Sequence, residues 1–191
     1  MSQLITNPVI NAILFRRSIR SYKPDKIDDE QLNTVLQCGN WAPSGRNAQT
    51  TILVASQNMA LFQQLSNDFR SSSFAPPPPP RNPDVPVDLD MEKFSYGAPS
   101  FIFVYGDSTD RWYQVNAALA VENMVLAANS LGLSTVIVGM VHDYMNSSDG
   151  QKWKTRFGVP EHYEFVCGLS LGYGSETGEE KPRKEGTILM V

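Results

Sequence analysis

Residues 116–139 read NAALAVENMVLAANSLGLSTVIVG. The first part has the periodicity of a long helix, and Ala117, Ala118, Val121, Met124, Val125 and Ala128 fall on one broad stripe. The small residues on that stripe allow close packing, as expected of a helix at the centre of an assembly. Gly132 stands where a helix from about Arg111 to Leu131 needs its terminating glycine. Ser134 to Val138 is then a β-branched run that reads as a buried strand ending at Gly139. A helix feeding a strand in this way implies a layered domain of helices on a sheet, α/β or α+β, whose strand order the pattern leaves open.

The same grammar extends outward. On the N-terminal side, Pro99 to Tyr105 (PSFIFVY) and Thr50 to Ala55 read as strands. Asn58 to about Phe69 reads as a helix with Leu61 and Leu65 four apart. Asp28 and Gln31 form a capping box for a helix running to about Asn40. Asn7-Pro8 opens a short helix that ends near Phe15. On the C-terminal side, Ser148 or Asp149 is expected to cap a helix to Phe157, and Glu164 to Leu171 is a last strand. The pentapeptide Thr187 to Val191 is apolar and is expected to pack, on this chain or on a second subunit. Residues 70–97, with five consecutive prolines from Pro76 to Pro80, form a loop or lid that cannot join a sheet ladder. A proline-recognition motif is the alternative reading of that run. The 191 residues are expected to form one domain.

Composition narrows the function classes. The net charge of −4 argues against nucleic acid as a partner. No apolar run reaches the ~20 residues of a membrane helix. Two cysteines far apart, Cys38 and Cys167, form neither a disulfide framework nor a metal motif, which suits the cytoplasm. They read as small buried hydrophobes. His142 and His162 lack the HExxH pattern and read as surface residues, so no metal site is expected. There is no GxSxG elbow and no phosphate-binding P-loop. Gly172-Tyr173-Gly174 ends a strand but opens no helix, so it is a turn and not a dinucleotide fingerprint. A chain without nucleophile or metal ligands points to chemistry carried by a cofactor.

Four motifs fit that expectation. Arg16, Arg17, Ser18 and Arg20 gather guanidinium forks and a hydroxyl that match phosphate oxygens, although a solvated basic turn has the same composition. Pro43-Ser44-Gly45-Arg46-Asn47-Ala48-Gln49 is a loop dense in backbone amides and short polar groups able to read a heterocycle. Ile137-Val138-Gly139 ends in a glycine that lets a flat ring approach the backbone. Lys181-Pro182-Arg183-Lys184 supplies a second set of cations.

In content and order, RRSIRSYKPDKI (residues 16–27), WAPSGRNAQ (41–49), the helix-strand unit quoted first, and LGYG followed by KPRK resemble the nitroreductase-like family of FMN-dependent oxidoreductases. The likeness covers most of the chain outside residues 56–97. It implies an α+β sandwich with a mixed sheet surrounded by helices, in an interlocked homodimer with FMN at the interface. It further implies that Arg16, Arg17 and Ser18 contact the FMN phosphate, closed by Lys181 and Arg183, with Arg20 near the N1/O2 edge. Pro43, Ser44, Gly45 and Asn47 would approach the ring from the other subunit, and Ile137, Val138 and Gly139 would line it. Electrons would pass from NADH or NADPH through flavin N5 to an organic acceptor such as a nitroaromatic or quinone, by ping-pong turnover. Water can supply the protons, so no catalytic side chain is expected. An FMN-binding protein or sensor without turnover, and specialised flavin chemistry such as dehalogenation or flavin cleavage, carry the same motifs.

Overall fold

The computed structural model describes residues 5–76 and 94–190. Pro77 to Pro80, and with them most of the proline run, lie outside the described residues. Among the described residues, eleven elements follow in chain order: α1 (Pro8–Phe15), α2 (Asp29–Asn40), a 3-10 turn (Gly45–Asn47), β1 (Thr51–Ser56), α3 (Met59–Arg70), β2 (Ser100–Asp107), α4 (Tyr113–Ser130), β3 (Ser134–Val138), α5 (His142–Asn146), α6 (Gln151–Arg156) and β4 (Tyr163–Gly172).

The strands form one sheet in the order β1-β2-β4-β3, with antiparallel pairing between every neighbouring pair. The parallel component expected of a mixed sheet is confined, among the described residues, to a single bridge between Ser18 and Thr135 on the free side of β3. β2 is buried along nearly its whole length and serves both faces. Phe101, Phe103 and Tyr105 face a core filled by Phe62, Leu65 and Phe69 of α3, Tyr144 and Met145 of α5, and Trp153 of α6. Ile102 and Val104 face the other core, under Val35 of α2 and Ala117, Val121, Met124 and Val125 of α4. Alternation with a period of two lets one strand tie two helical layers together.

Helix starts follow local chemistry. The Asn7 side chain accepts from the Ile10 N–H, and Asp28 with Gln31 makes both bonds of the capping box. Asn58 accepts from the Ala60 and Leu61 N–H groups at the start of α3. Gly132 has φ +74 after α4, as the C-terminal signal requires.

Three expectations are corrected, and a fourth, for the C-terminal pentapeptide, is narrowed to its second alternative. Ala118 is exposed, while Asn116 and Ala120 sit on the buried stripe of α4. The helix expected from Ser148 or Asp149 to Phe157 starts only at Gln151, after Gly150, with no side-chain cap. Ser147 takes the turn instead, its hydroxyl accepting from the Gly150 N–H, and a separate helix, α5, precedes it. Ile137 is not buried, because β3 is an edge strand and this side chain is 49% exposed. The C-terminal residues Ile188, Leu189 and Met190 do not pack on their own chain: they are 85%, 84% and 95% exposed.

Candidate functional site

The basic stretch begins where α1 stops. Arg16 leaves the helical region with ψ 135, and the chain runs on extended until Ser18 pairs with Thr135. Arg17 turns back: its Nη1 donates to the carbonyls of Leu14 (2.7 Å) and Arg16 (2.8 Å). These are carbonyls a helix end leaves without partners, and a guanidinium there suits the negative end of the helix. Its Nη2 lies 3.4 Å from a carboxylate oxygen of Glu180, so the C-terminal segment folds over this arginine. Gly178 reinforces that closeness, because a Cβ there would collide with the stem of Arg17.

A surface cleft of about 260 Å³ opens beside them, and Arg16, Arg17, Asn129, Ser134, Thr135 and Thr177 contribute its polar lining. Guanidinium forks, hydroxyls and an amide in one cleft are a donor set suited to a phosphate. From Thr135, the edge of β3 runs through Ile137 and Val138 to Gly139, about 13 Å at strand rise. Around Gly139 the surface is open, with no atom within 4 Å of where a Cβ would stand. The phosphate-like cleft and this edge, exposed at Ile137 and Gly139 while the Val138 side chain is buried in the core, therefore lie end to end. Lys181 and Arg183 are exposed on the segment that passes the cleft.

Arg20 stands further along the same extended run. Its backbone N–H donates to Glu176 (2.6 Å), and its guanidinium lies 5.9 Å from the centre of the Tyr96 ring. Tyr96 holds φ +54, a rare backbone state for a bulky residue. The Tyr22 phenol beside them is pushed well above its ordinary range, first by burial and then by the Glu176 carboxylate. Of the other aromatics in the loop region, Phe94 belongs to the core and Phe74 packs on Tyr144.

The loop Pro43–Gln49 lies elsewhere. Gly45 donates its N–H to Oδ1 of Asn116 (3.0 Å), on the first turn of α4, and packs on Trp112. Ser44 accepts from the Gln49 N–H (2.9 Å). The loop leads into β1, the edge strand opposite β3. Asn129, by contrast, lines the arginine cleft near the last turn of α4. Thirteen residues of helix separate Asn116 from Asn129, about 20 Å. One chain thus brings Arg16, Arg17, Ser18 and the strand edge Ile137–Gly139 together, and holds Pro43, Ser44, Gly45 and Asn47 at the far end of its longest helix.

Sequence reading passed over several of these residues. Asn129, Ser134 and Thr177 have no local pattern that marks them. Asn116 did leave a signal, a carboxamide in an otherwise apolar helical stripe. Among the described residues no group of His, Cys, Asp or Glu is arranged to hold a metal, and no helix is long and apolar enough to cross a membrane. Cys38 and Cys167 are both free thiols.

Comparison with known proteins agrees with this architecture. The structure superposes with a TM-score of 0.80 on a nitroreductase with bound FMN from Bacteroides fragilis NCTC 9343, which is 28% identical, over 97% of this chain and 100% of that one. The NADPH-flavin oxidoreductase of Vibrio harveyi is 26% identical over 190 residues, 96% of this chain and 73% of its own length. The FMN reductase [NAD(P)H] of Bacillus subtilis is 25% identical over 186 residues, 93% of this chain and 70% of its own. The model of the nitroreductase family matches residues 13–173, so with its sheet, its arginine cleft and most of its length accounted for, the chain belongs to the nitroreductase family.

Proposed function

We propose that the protein is an FMN-dependent oxidoreductase that moves two electrons from NADH or NADPH to an organic acceptor, a nitroaromatic or quinone being the expected class. The observation that carries this reading is the cleft of Arg16 and Arg17 continuing into the open edge Ile137–Gly139, in a chain of this family. The names of the relatives, a flavin oxidoreductase and an FMN reductase, support it.

The residues present fit the cofactor. Its phosphate is close to a dianion, and Arg16, Arg17 and the Ser18 hydroxyl would hold it, with Lys181 and Arg183 closing from the C-terminal segment. Ile137, Val138 and Gly139 would support the ring along the strand edge. Arg20 would stand by its N1/O2 edge, where a cation favours added negative charge. When bound, FMN would supply a two-electron redox centre reactive at N5, and the residues that hold it would leave donor and acceptor one site to use in turn, by ping-pong. The chain's own task is to orient those partners.

A homodimer belongs to the same reading. Pro43, Ser44, Gly45 and Asn47 stand about 20 Å of helix away from the arginine cleft, so they reach a ring bound at that cleft only from a second subunit. Two exposed apolar features offer the contact: Val115 and Leu119 on the outer face of α4, and the C-terminal Ile188, Leu189 and Met190. A helix apolar on two sides is one that expects cover on both.

The test is spectroscopic. Purified protein should carry or take up about one FMN per chain, NADH or NADPH should bleach its visible band, and a quinone or nitroaromatic should restore it. A band that reduced nicotinamide leaves unchanged would identify a flavin-binding protein without turnover. Protein that binds no flavin at all would overturn the proposal.

A further inference from the structure

The loop that the functional reading places against the flavin ring is strained and tied down at one point. Arg46, Asn47 and Gln49 hold φ of 57, 54 and 51. Non-glycine residues adopt this left-handed region rarely and at a cost, and three within four positions persist only where surrounding contacts impose them. Within the loop Ser44 accepts from the Gln49 N–H and Asn47 accepts from the Gln49 side chain, and the loop is tied to α4 through Gly45 and Asn116, which is 2% exposed. Its Oδ1 accepts from the Gly45 N–H (3.0 Å). Its Nδ2 donates to Oγ1 of Thr50 and to Oδ2 of Asp110, each at 3.0 Å. Thr50 in turn donates to the same Asp110 oxygen (3.2 Å), and the other Asp110 oxygen accepts from the Trp112 N–H (3.0 Å).

We infer that Asn116 is a positioning residue, whose buried carboxamide locks the Ser44–Gln49 loop into the conformation that meets the flavin ring; this rests on the function proposed above. The role calls for an acceptor toward the loop and donors toward a hydroxyl and a carboxylate, from one uncharged group. A carboxamide supplies both. An aspartate here would turn its charge on Asp110, and a leucine would leave the part-buried Gly45 N–H without its partner and take one bond each from Thr50 and Asp110. The partners also fix which end of the amide is oxygen, since a backbone N–H can only donate and a carboxylate only accept. The network joins the start of α4, the entry to β1 and the loop, so a loop whose shape is held by its own Ser44–Gln49 bond takes its position relative to the sheet from the helix.

Thr50→Val keeps the shape of the side chain and removes the hydroxyl from the network, and Asn116→Leu removes its centre. Leu65→Ala, in the core on the opposite face of the sheet, serves as a control for general destabilisation. Three measurements suffice: hydrogen exchange of the Gly45–Gln49 amides, FMN affinity by fluorescence titration, and visible circular dichroism of the bound flavin. In Thr50→Val the loop amides should exchange about five- to tenfold faster, FMN should bind several-fold more weakly, and the visible band should change shape. Asn116→Leu should exceed it in each, and if that variant does not fold, Thr50→Val decides alone. Leu65→Ala should lower the melting temperature and leave loop exchange and the visible band as in the parent. A Thr50→Val protein with parental loop exchange, or with faster exchange but parental affinity and spectrum, overturns the inference. A parent protein that takes up no FMN overturns the functional reading itself, a separate outcome visible before any variant is made.

Discussion

Arg17 is held from two sides at once: its Nη1 caps the carbonyls of Leu14 and Arg16, and its Nη2 faces Glu180 at 3.4 Å. The guanidinium is therefore oriented by the chain before any anion arrives, with Glu180 standing beside the place an anion would take. Arg17→Ala combined with Arg183→Ala should weaken FMN binding by at least about a hundredfold, at roughly 1.5–3 kcal/mol for each charge-assisted contact. Glu180→Gln should act in the opposite direction and weakly, tightening FMN no more than about fivefold, because exposed ion pairs contribute about 0–1 kcal/mol. Fluorescence titration of FMN checks both, and a double variant that holds FMN as the parent does would show that the phosphate binds elsewhere.

The C-terminal apolar residues give a test of assembly. Ile188, Leu189 and Met190 lie on the surface of their own chain with almost their full area in water. Three adjacent large apolar side chains in that position are better explained by a partner than by solvent. Replacing all three by serine should shift the protein from dimer toward monomer in light scattering coupled to size-exclusion chromatography, and weaken FMN binding in parallel. Because none of the three touches the chain's own cores, thermal melting of the monomer should be unaffected by the change. A serine variant that stays dimeric with parental FMN affinity would remove the tail from the interface.

Titration of Cys167 predicts behaviour in alkali. Burial pushes its thiol from the usual 9.0 up to about 11. Folding thus favours the protonated form, and the associated stability is complete below about pH 9 and is lost as pH rises toward 11. Tyr22 and Tyr105 are also pushed up by burial, so the parent protein will lose stability there for several reasons. The difference between parent and Cys167→Ala isolates the thiol: denaturant midpoints of the two should converge as pH rises from 9 to 11. At pH 8, iodoacetamide should leave Cys167 unmodified in the folded protein, as read by mass spectrometry.

Where sequence reading succeeded, the signal was local. Asn7, Asp28 and Gly132 act through neighbours three or four residues away, so helix ends could be placed from the chain alone. The run PSFIFVY is apolar at consecutive positions from Phe101 to Val104, which a strand buried on both faces demands. Ile137 shows where that reasoning stops. An edge strand has the same β-branched composition as a central one, and only the strand order, with β3 last, exposes its side chain. Arg16, Arg17 and Ser18 stood out as candidates because their chemistry is concentrated in consecutive positions. The cleft that Arg16 and Arg17 share with Asn129 and Thr177, which Ser18 does not line, was not legible, because it is assembled from residues over a hundred positions apart. Asn116 lay between these cases: its polarity is visible in the stripe, but its partners Gly45, Thr50 and Asp110 come together only in the fold.

Gly139 separates a folding role from a binding role. A methyl group added there would meet nothing within 4 Å, so Gly139→Ala should change stability by no more than about 0.5 kcal/mol. If the flavin ring lies along Ile137–Gly139, the same methyl stands in its way, and FMN affinity should fall by tenfold or more while the melting temperature holds. Gly168 supplies the contrast. It sits on β4 opposite Phe103, and a Cβ there would run into the ring of Phe101, which is wedged between Phe94 and Phe103 and has nowhere to move. Gly168→Ala should therefore cost about 1–3 kcal/mol of stability in thermal or denaturant unfolding, and weaken FMN binding only to the extent that it unfolds the protein. Titrating FMN into both variants at a temperature where each is folded distinguishes the two roles. Parental affinity in a fully folded Gly139→Ala protein would mean that the ring does not rest on the β3 edge, and the open surface there would need another occupant.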